Sequence, residues 1–203
     1  MVKKSRIEMN QEEADLIDKW IYLLLAANNN EPIKGRVRFM KEFFLFAINH
    51  NKELLDITEF YPYHFGPYST RVAFRMNFLK TNELIGAEFK NQDWEYFLTQ
   101  KGLVKAEKSC EENINENLEV LSIIKNNNKR LSLKNLLKEI YMDYPKYALR
   151  SIIKEEITQE KVKPENLIII DDGPGFVSSV SLEEEEIELK EEAAKRYLEL
   201  ISK

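Results

Sequence analysis

Phe60-Tyr61-Pro62-Tyr63-His64-Phe65-Gly66-Pro67-Tyr68-Ser69 opens the stretch whose reading decides the fold. A helical segment, Thr70 to Glu83, follows this dense aromatic turn. Then come Leu84-Ile85-Gly86 and an alternating run that ends at Leu98-Thr99-Gln100-Lys101-Gly102. Turn, helix, short hairpin and helix start, in that order, predict a winged helix. At 100° per residue, Tyr68, Val72, Met76 and Leu79 share a core face. Arg71, Arg75 and Asn82 form a neighbouring stripe, flanked on its other side by Phe74 and Phe78. An exposed basic stripe on the helix before a hairpin is where phosphate or base-edge contacts to DNA are expected. The alternative is that both arginines solvate a mostly buried helix, their stems over Phe74 and Phe78.

The hairpin is read from Ala87-Glu88-Phe89-Lys90, an Asn91-Gln92-Asp93 tip and Trp94-Glu95-Tyr96-Phe97-Leu98, with Trp94, Tyr96 and Leu98 on one face. The tip has turn chemistry. Lys90 could touch a DNA backbone there, although Asp93 and Glu95 oppose it. Thr99 is the expected N-cap of the next helix.

Two helices are predicted upstream. Asn10 with Glu13 makes a capping-box start for a helix to Ala27, with Leu16, Ile17, Trp20, Leu23 and Leu24 on one face. Asn28-Asn29-Asn30 and Pro32 end it. The second helix runs from Arg36 to Asn49, with a stripe of Val37, Met40, Phe43, Phe44 and Ala47. Lys34, Arg36, Arg38 and Lys41 cluster at its start, as a second phosphate contact or as a solvated helix end.

Several motifs resemble one family. Lys34 to Leu45, KGRVRFMKEFFL, resembles the GRTRLQKLIFLL stretch of the YwgA-like family, and Phe60 to Ser69 its F-x-PY-x-YGPYS signature. Leu84-Ile85 and Leu98 to Gly102 resemble its GLI and LT-x-x-G positions. Leu136 to Tyr147 resembles its L-x-x-Y-x-x-YPEY element. Asn82-Glu83 stands where that family more often has Gly. The resemblance covers roughly residues 17–155. It implies a winged-helix domain distantly similar to Panacea-type antitoxin and proteolysis-adaptor domains.

Beyond Gly102, Leu118, Leu121, Ile124 and Lys125 share a helix face, Ser132 caps Leu133 to Tyr144, and Pro145 opens a further helix through Ile157. Tyr141, Tyr144 and Tyr147 are read as packing aromatics. Leu167 to Ile170 reads as a strand, Asp171-Asp172-Gly173-Pro174-Gly175 as a turn, and Leu182 to Ile201 as an acidic helix. The face of Ile187, Ala194, Leu198 and Ile201 is expected to pair with a second copy, giving a homodimer, or to dock on its own chain.

The expected fold class is therefore mainly α with a small β-hairpin (α+β). A winged helix over 8–105 is followed by a helical extension over 106–160 and a strand-turn-helix appendage over 161–203. Composition sets outer limits on function. The chain has 203 residues, 43% hydrophobic and 11% aromatic, enough for a real core. Net charge is −5. Residues 1–105 carry 15 basic against 14 acidic groups (+1), and 106–203 carry 15 against 21 (−6). Any nucleic-acid contact is thus expected in the first half. No apolar run reaches the roughly 18–20 residues of a membrane span. The lone cysteine, Cys110, fits a reducing cytoplasm. His50 and His64 are too far apart for a motif, and no zinc spacing or Gly-rich phosphate loop occurs.

These readings predict no enzyme, no cofactor and no metal. They predict a cytoplasmic regulator of transcription that binds double-stranded DNA through Arg71, Arg75, Asn82, Lys34, Arg36, Arg38 and Lys90. The competing class is a protein-interaction module, antitoxin-like or adaptor, that docks a partner protein with its aromatic surface.

Overall fold

A computed structural model describes residues 8–90, 93–108 and 114–158. The expected appendage at 161–203, with its Asp171-Asp172 turn and pairing helix, lies outside the described residues, as does Cys110.

The first helix, α1 (Gln11–Asn30), starts as its caps dictate. The Asn10 side chain accepts from the Glu13 backbone N–H, and the Glu13 carboxylate accepts from the Asn10 N–H. Regular geometry stops at Ala27, and Asn28, Asn29 and Asn30 turn left-handed. A two-residue strand, β1 (Ile33–Lys34), leads through Gly35 into α2 (Arg36–His50). The short helix α3 (Lys52–Thr58) is an addition to the expected elements; Asn51 caps it by accepting from Leu54 N–H. The aromatic turn is itself a hairpin of β2 (Tyr61–Tyr63) and β3 (Gly66–Tyr68).

Ser69 caps α4 (Thr70–Thr81), accepting from Val72 N–H at 3.1 Å. The helix ends in a six-to-one bond from Leu84 N–H to the Leu79 carbonyl, with Glu83 left-handed (φ 59°). That backbone favours glycine, so Glu83 holds a conformation that costs a side-chain-bearing residue. β4 (Ile85–Lys90) and β5 (Asp93–Leu98) form an antiparallel hairpin with Phe89 opposite Trp94, and β1 adds to β5, giving the order β1-β5-β4. Thr99 caps α5 (Gln100–Lys108), accepting from Gly102 N–H at 3.1 Å. Then follow α6 (Ile114–Arg130), α7 (Leu133–Asp143), a 3₁₀ turn (Pro145–Ala148) and α8 (Lys154–Thr158). Pro145 thus opens a tight turn and a short helix in place of one continuous helix.

The described chain is mostly helical with small antiparallel sheets, an α+β protein. It divides into two compact units. Among the described residues, one joins 8–60 to 68–130; the other joins 61–67 to 131–158. In the first, Trp20, Phe43, Phe44, Val72 and Leu79 are all buried as expected, and Trp20 packs on Phe46 with ring centroids 4.6 Å apart. Leu121 of α6 joins that core, with Leu118 and Ile124 partly buried beside it. In the second, Tyr141 and Tyr147 are buried, and a Cβ on Gly66 (φ 85°) would sit 2.7 Å from the Tyr141 ring. The aromatic signature and the Tyr-Pro element, far apart in sequence, therefore meet in one unit.

Buried charge ties α6 to the end of α1. The Lys125 ammonium donates to the carbonyls of Ala27 and Glu31, both at 2.7 Å, and more weakly to Leu25 at 3.4 Å. Nearby Glu42 is buried, and burial pushes its carboxyl up to about 8 against the pull of Arg38 and Lys125, with Glu31 adding repulsion. Burial pushes the Lys125 ammonium down to about 8, opposed by Glu42 and Glu31 and assisted by Lys129.

A methyl at Gly102 would fall on the Leu84 carbonyl oxygen. Gly→Ala inside a helix ordinarily gains about 1 kcal/mol; Gly102→Ala is instead expected to cost about 1–3 kcal/mol through overpacking, read by urea denaturation. The buried charges set a dependence on pH. Glu42 holds its proton longer in the folded state, so its stabilisation is whole below its unfolded pKa near 4.5 and drains away as pH rises to about 8. Lys125 holds its proton less well, so its penalty is full below about 8 and is relieved toward 10.5. Stability should fall from pH 5 to 7, by up to about 1.4 kcal/mol per pH unit from Glu42; above about 7 the buried Lys41, whose ammonium burial lowers to about 7, opposes the fall. Glu42→Gln should flatten that limb in denaturation series at pH 5, 6 and 7.

Candidate functional site

Helix α4 carries the residues from which DNA contact was expected, and the structure corrects their orientation. Arg71 and Arg75 face inward, only 5% and 9% exposed. The cause is a set of acceptors on α1 and α3. The Arg75 guanidinium grips Asp18 with two bonds, Nε to Oδ1 at 2.7 Å and Nη2 to Oδ2 at 2.5 Å. This bidentate match is the geometry guanidinium and carboxylate favour. Burial raises the Asp18 carboxyl while Arg75 lowers it, and Asp18 in turn holds Arg75 more firmly protonated. Arg71 donates to the carbonyls of Ile57 at 2.7 Å and Glu8 at 2.8 Å, and pairs with Glu59 at 2.9 Å and Glu13 at 3.7 Å. Both cations serve the chain that holds them.

The other candidates do not assemble into one basic face. Asn82 is exposed, and its side chain donates to the Phe78 carbonyl at 2.8 Å, closing the end of α4. Lys34 on β1 lies 3.9 Å from Glu95 of β5, and Lys90 on β4 lies 2.5 Å from Glu88. Glu88 thereby raises the Lys90 pKa. Arg36 is exposed at the start of α2, whereas Arg38, two residues on, is half-buried and donates to the Asn128 carbonyl of α6. Lys41 is buried.

With the arginines turned inward, α4 presents Phe74 and Phe78, each 44% exposed. The β4–β5 hairpin presents Phe89 and Trp94, 64% and 47% exposed. These rings are braced. The Arg75 guanidinium carbon lies 4.2 Å from the Phe78 centroid, which realises in part the alternative of a stem laid over the ring. Lys80 of α4 reaches over Trp94 at 5.8 Å, and Phe89 meets Trp94 edge to face at 5.7 Å. Cation–π and edge-to-face contacts of this kind fix ring orientation. The face of α4 toward solvent is thus aromatic and weakly charged, with Asn77, Thr81 and Lys80 beside the two phenylalanines.

Sequence reasoning allowed for an aromatic docking surface but did not name these four rings as the exposed ones. One signal was present: Asp18 sits at i+4 from Ala14 and at i−3 and i−4 from Ile21 and Tyr22, all buried. A carboxylate inside such a stripe requires a cation from another element.

The histidines are ring-packed, His64 on Tyr63 at 4.1 Å and His50 on Phe46 at 6.0 Å. No helix among the described residues is long and apolar enough to cross a membrane. Among them, no group of three or more His, Cys, Asp or Glu side chains is placed to hold a metal ion. Comparison with protein-family models, with curated proteins and with solved structures found no match to this chain.

Removing one member of the α1–α4 ion pair leaves the other buried and unpaired, which costs about 3–5 kcal/mol. Arg75→Ala is expected to fall in that range by urea denaturation. The paired replacement Asp18→Leu with Arg75→Met should recover most of the loss, because it removes both charges together.

Proposed function

We propose that this chain is a non-enzymatic protein-docking module, antitoxin-like or adaptor in kind, and that its partner binds the aromatic face built by α4 and the β4–β5 hairpin. One observation carries the reading. The helix spends its arginines on internal carboxylates and turns two braced phenylalanines to solvent, beside two more braced rings on the hairpin. Exposed aromatics are the side chains that dominate protein–protein contacts, and rings already held in place lose little freedom on binding. The partner that fits is a protein offering an apolar, weakly charged contact, since Lys80 is the one cation on the solvent-facing side of α4. The succession of helices and hairpin over 10–102 and the motif resemblance to Panacea-type adaptor domains support a winged-helix module of this type.

A transcription regulator is the second reading, supported by exposed Lys34, Arg36 and Lys90. Winged-helix DNA binding would then run through β1, the start of α2 and the hairpin, without Arg71 or Arg75.

One pair of variants separates them. Phe74→Glu with Phe78→Glu changes two exposed side chains and should leave the melting curve close to wild type. It is expected to reduce recovery of one specific partner from lysate of the source cells by more than tenfold, as loss of interface anchors worth about 2 kcal/mol or more implies. Lys34→Ala with Arg36→Ala should leave that recovery unchanged. Titration of a 30-base-pair duplex at two salt concentrations tests the second reading directly. Micromolar binding that weakens steeply with salt, and is lost in the lysine–arginine variant, would replace the docking reading with the DNA reading.

A further inference from the structure

Strand β4 ends its sheet, so one side of its backbone faces no other strand among the described residues. Register says which groups that side carries. Gly35 N–H donates to the Trp94 carbonyl at 2.7 Å, on the β1 side of β5. In an antiparallel ladder a residue turns its N–H and C=O to the same neighbour, and successive residues alternate. Trp94 and Tyr96 therefore face β1, while Asp93 and Glu95 face β4. Opposite them, Lys90 and Glu88 bond back to β5. Phe89, opposite Trp94, turns its N–H and C=O outward, as does Ala87. Ile85 is buried, whereas Glu88, Phe89 and Lys90 are exposed. The open part of the edge is thus centred on Phe89.

Side chains select the strand that fits. Alternation puts Glu88 and Lys90 on one face of the hairpin and Phe89, beside Trp94, on the other. Glu88 stands directly opposite Glu95, and like charges so placed repel. Lys34 meets Glu95 from β1. The row across the sheet reads Lys34, Glu95, Glu88, and the residue that completes it is a cation. Lys90 lies two positions from Glu88 on the same face, so an antiparallel second copy supplies that cation. Outward backbone groups must meet outward groups, which restricts such pairing to registers centred on a residue. Centred on Phe89, each Glu88 meets the other copy's Lys90. Centred on Glu88, the carboxylates meet each other; centred on Ala87, Glu88 meets Gly86. Charges on an edge strand usually block pairing. Here their order makes them self-complementary in one register.

We propose that two copies of this chain join edge to edge through β4, antiparallel about a two-fold axis at Phe89. The Phe89 N–H and C=O bond to those of the second copy, and two Glu88–Lys90 ion pairs cross the seam. On the opposite face the row of Trp94 and Phe89 continues into Phe89 and Trp94 of the second copy, so two aromatic faces become one wider surface. The seam stands whether or not that surface takes the partner proposed above.

The test is sedimentation of the full chain at low salt, from about 10 µM to about 1 mM, a span suited to a seam well below the standard interface size. The mass should rise from one chain toward two. Glu88→Lys and Lys90→Glu, each on an exposed side chain, should weaken dimerisation by roughly tenfold or more. The exchanged pair, Glu88→Lys with Lys90→Glu, keeps the net charge, rebuilds both ion pairs and should restore it. Melting curves check that each variant folds. Mixing isotope-labelled with unlabelled wild type gives a reading that needs no variant: nuclear Overhauser contacts should link Phe89 of one copy to Phe89 of the other. A monomer over the whole range overturns the proposal. So does a dimer that both single variants leave intact, that the exchanged pair fails to restore, or that shows no contact between copies at Phe89.

Discussion

The Asp18–Arg75 pair is the contact on which the surface of the first unit depends. A helix with apolar residues at 72, 76 and 79 could rotate by tens of degrees and still bury them. What removes that freedom is a guanidinium with nowhere to go but a carboxylate fixed on α1. Arg71 adds a second restraint, tying the first turn of α4 to the end of α3 and to Glu8 ahead of α1. Such buried pairs add little net stability, because desolvation offsets most of the attraction. Their effect here is on orientation. They widen the buried face of α4 by one stripe and push Phe74 and Phe78 to the outside.

Much of the architecture was legible because its signals are local. The Asn10–Glu13 capping box, the Ser132 and Thr99 caps, the i, i+3, i+4 faces of α1 and α2, and the Phe89–Trp94 alternation each sit within a few residues. Each appears in the structure where it was expected. The elements that escaped are short. β1 has two residues and pairs with β5 alone, and α3 is a helix of seven. The β2–β3 hairpin has strands of three residues whose aromatic positions read equally well as a turn. Such pieces exist because tertiary partners complete them, which no local pattern records.

The candidate site was legible in position but not in sign. Angular arithmetic ordered the stripes of α4 correctly: core, arginines, phenylalanines. It could not say where the boundary of burial falls among them. That boundary was set by a charge on another helix, Asp18, fifty-seven positions earlier in the chain. The same limit explains Lys125, which shares its face with leucines and finds its acceptors on carbonyls that α1 leaves open.

The path of the chain through its two units carries a further consequence. Seven residues, Tyr61 to Pro67, leave the first unit, contribute a hairpin to the second, and return. The helix and turn that share that second unit are encoded well downstream, from Leu133 onward. At roughly 5–20 residues per second of synthesis, the hairpin emerges from the ribosome seconds before its partners exist. During that interval its tyrosines and Phe65 have no second unit to enter, so the nascent chain carries an adhesive loop whose protection arrives only once the chain beyond Leu133 has been made.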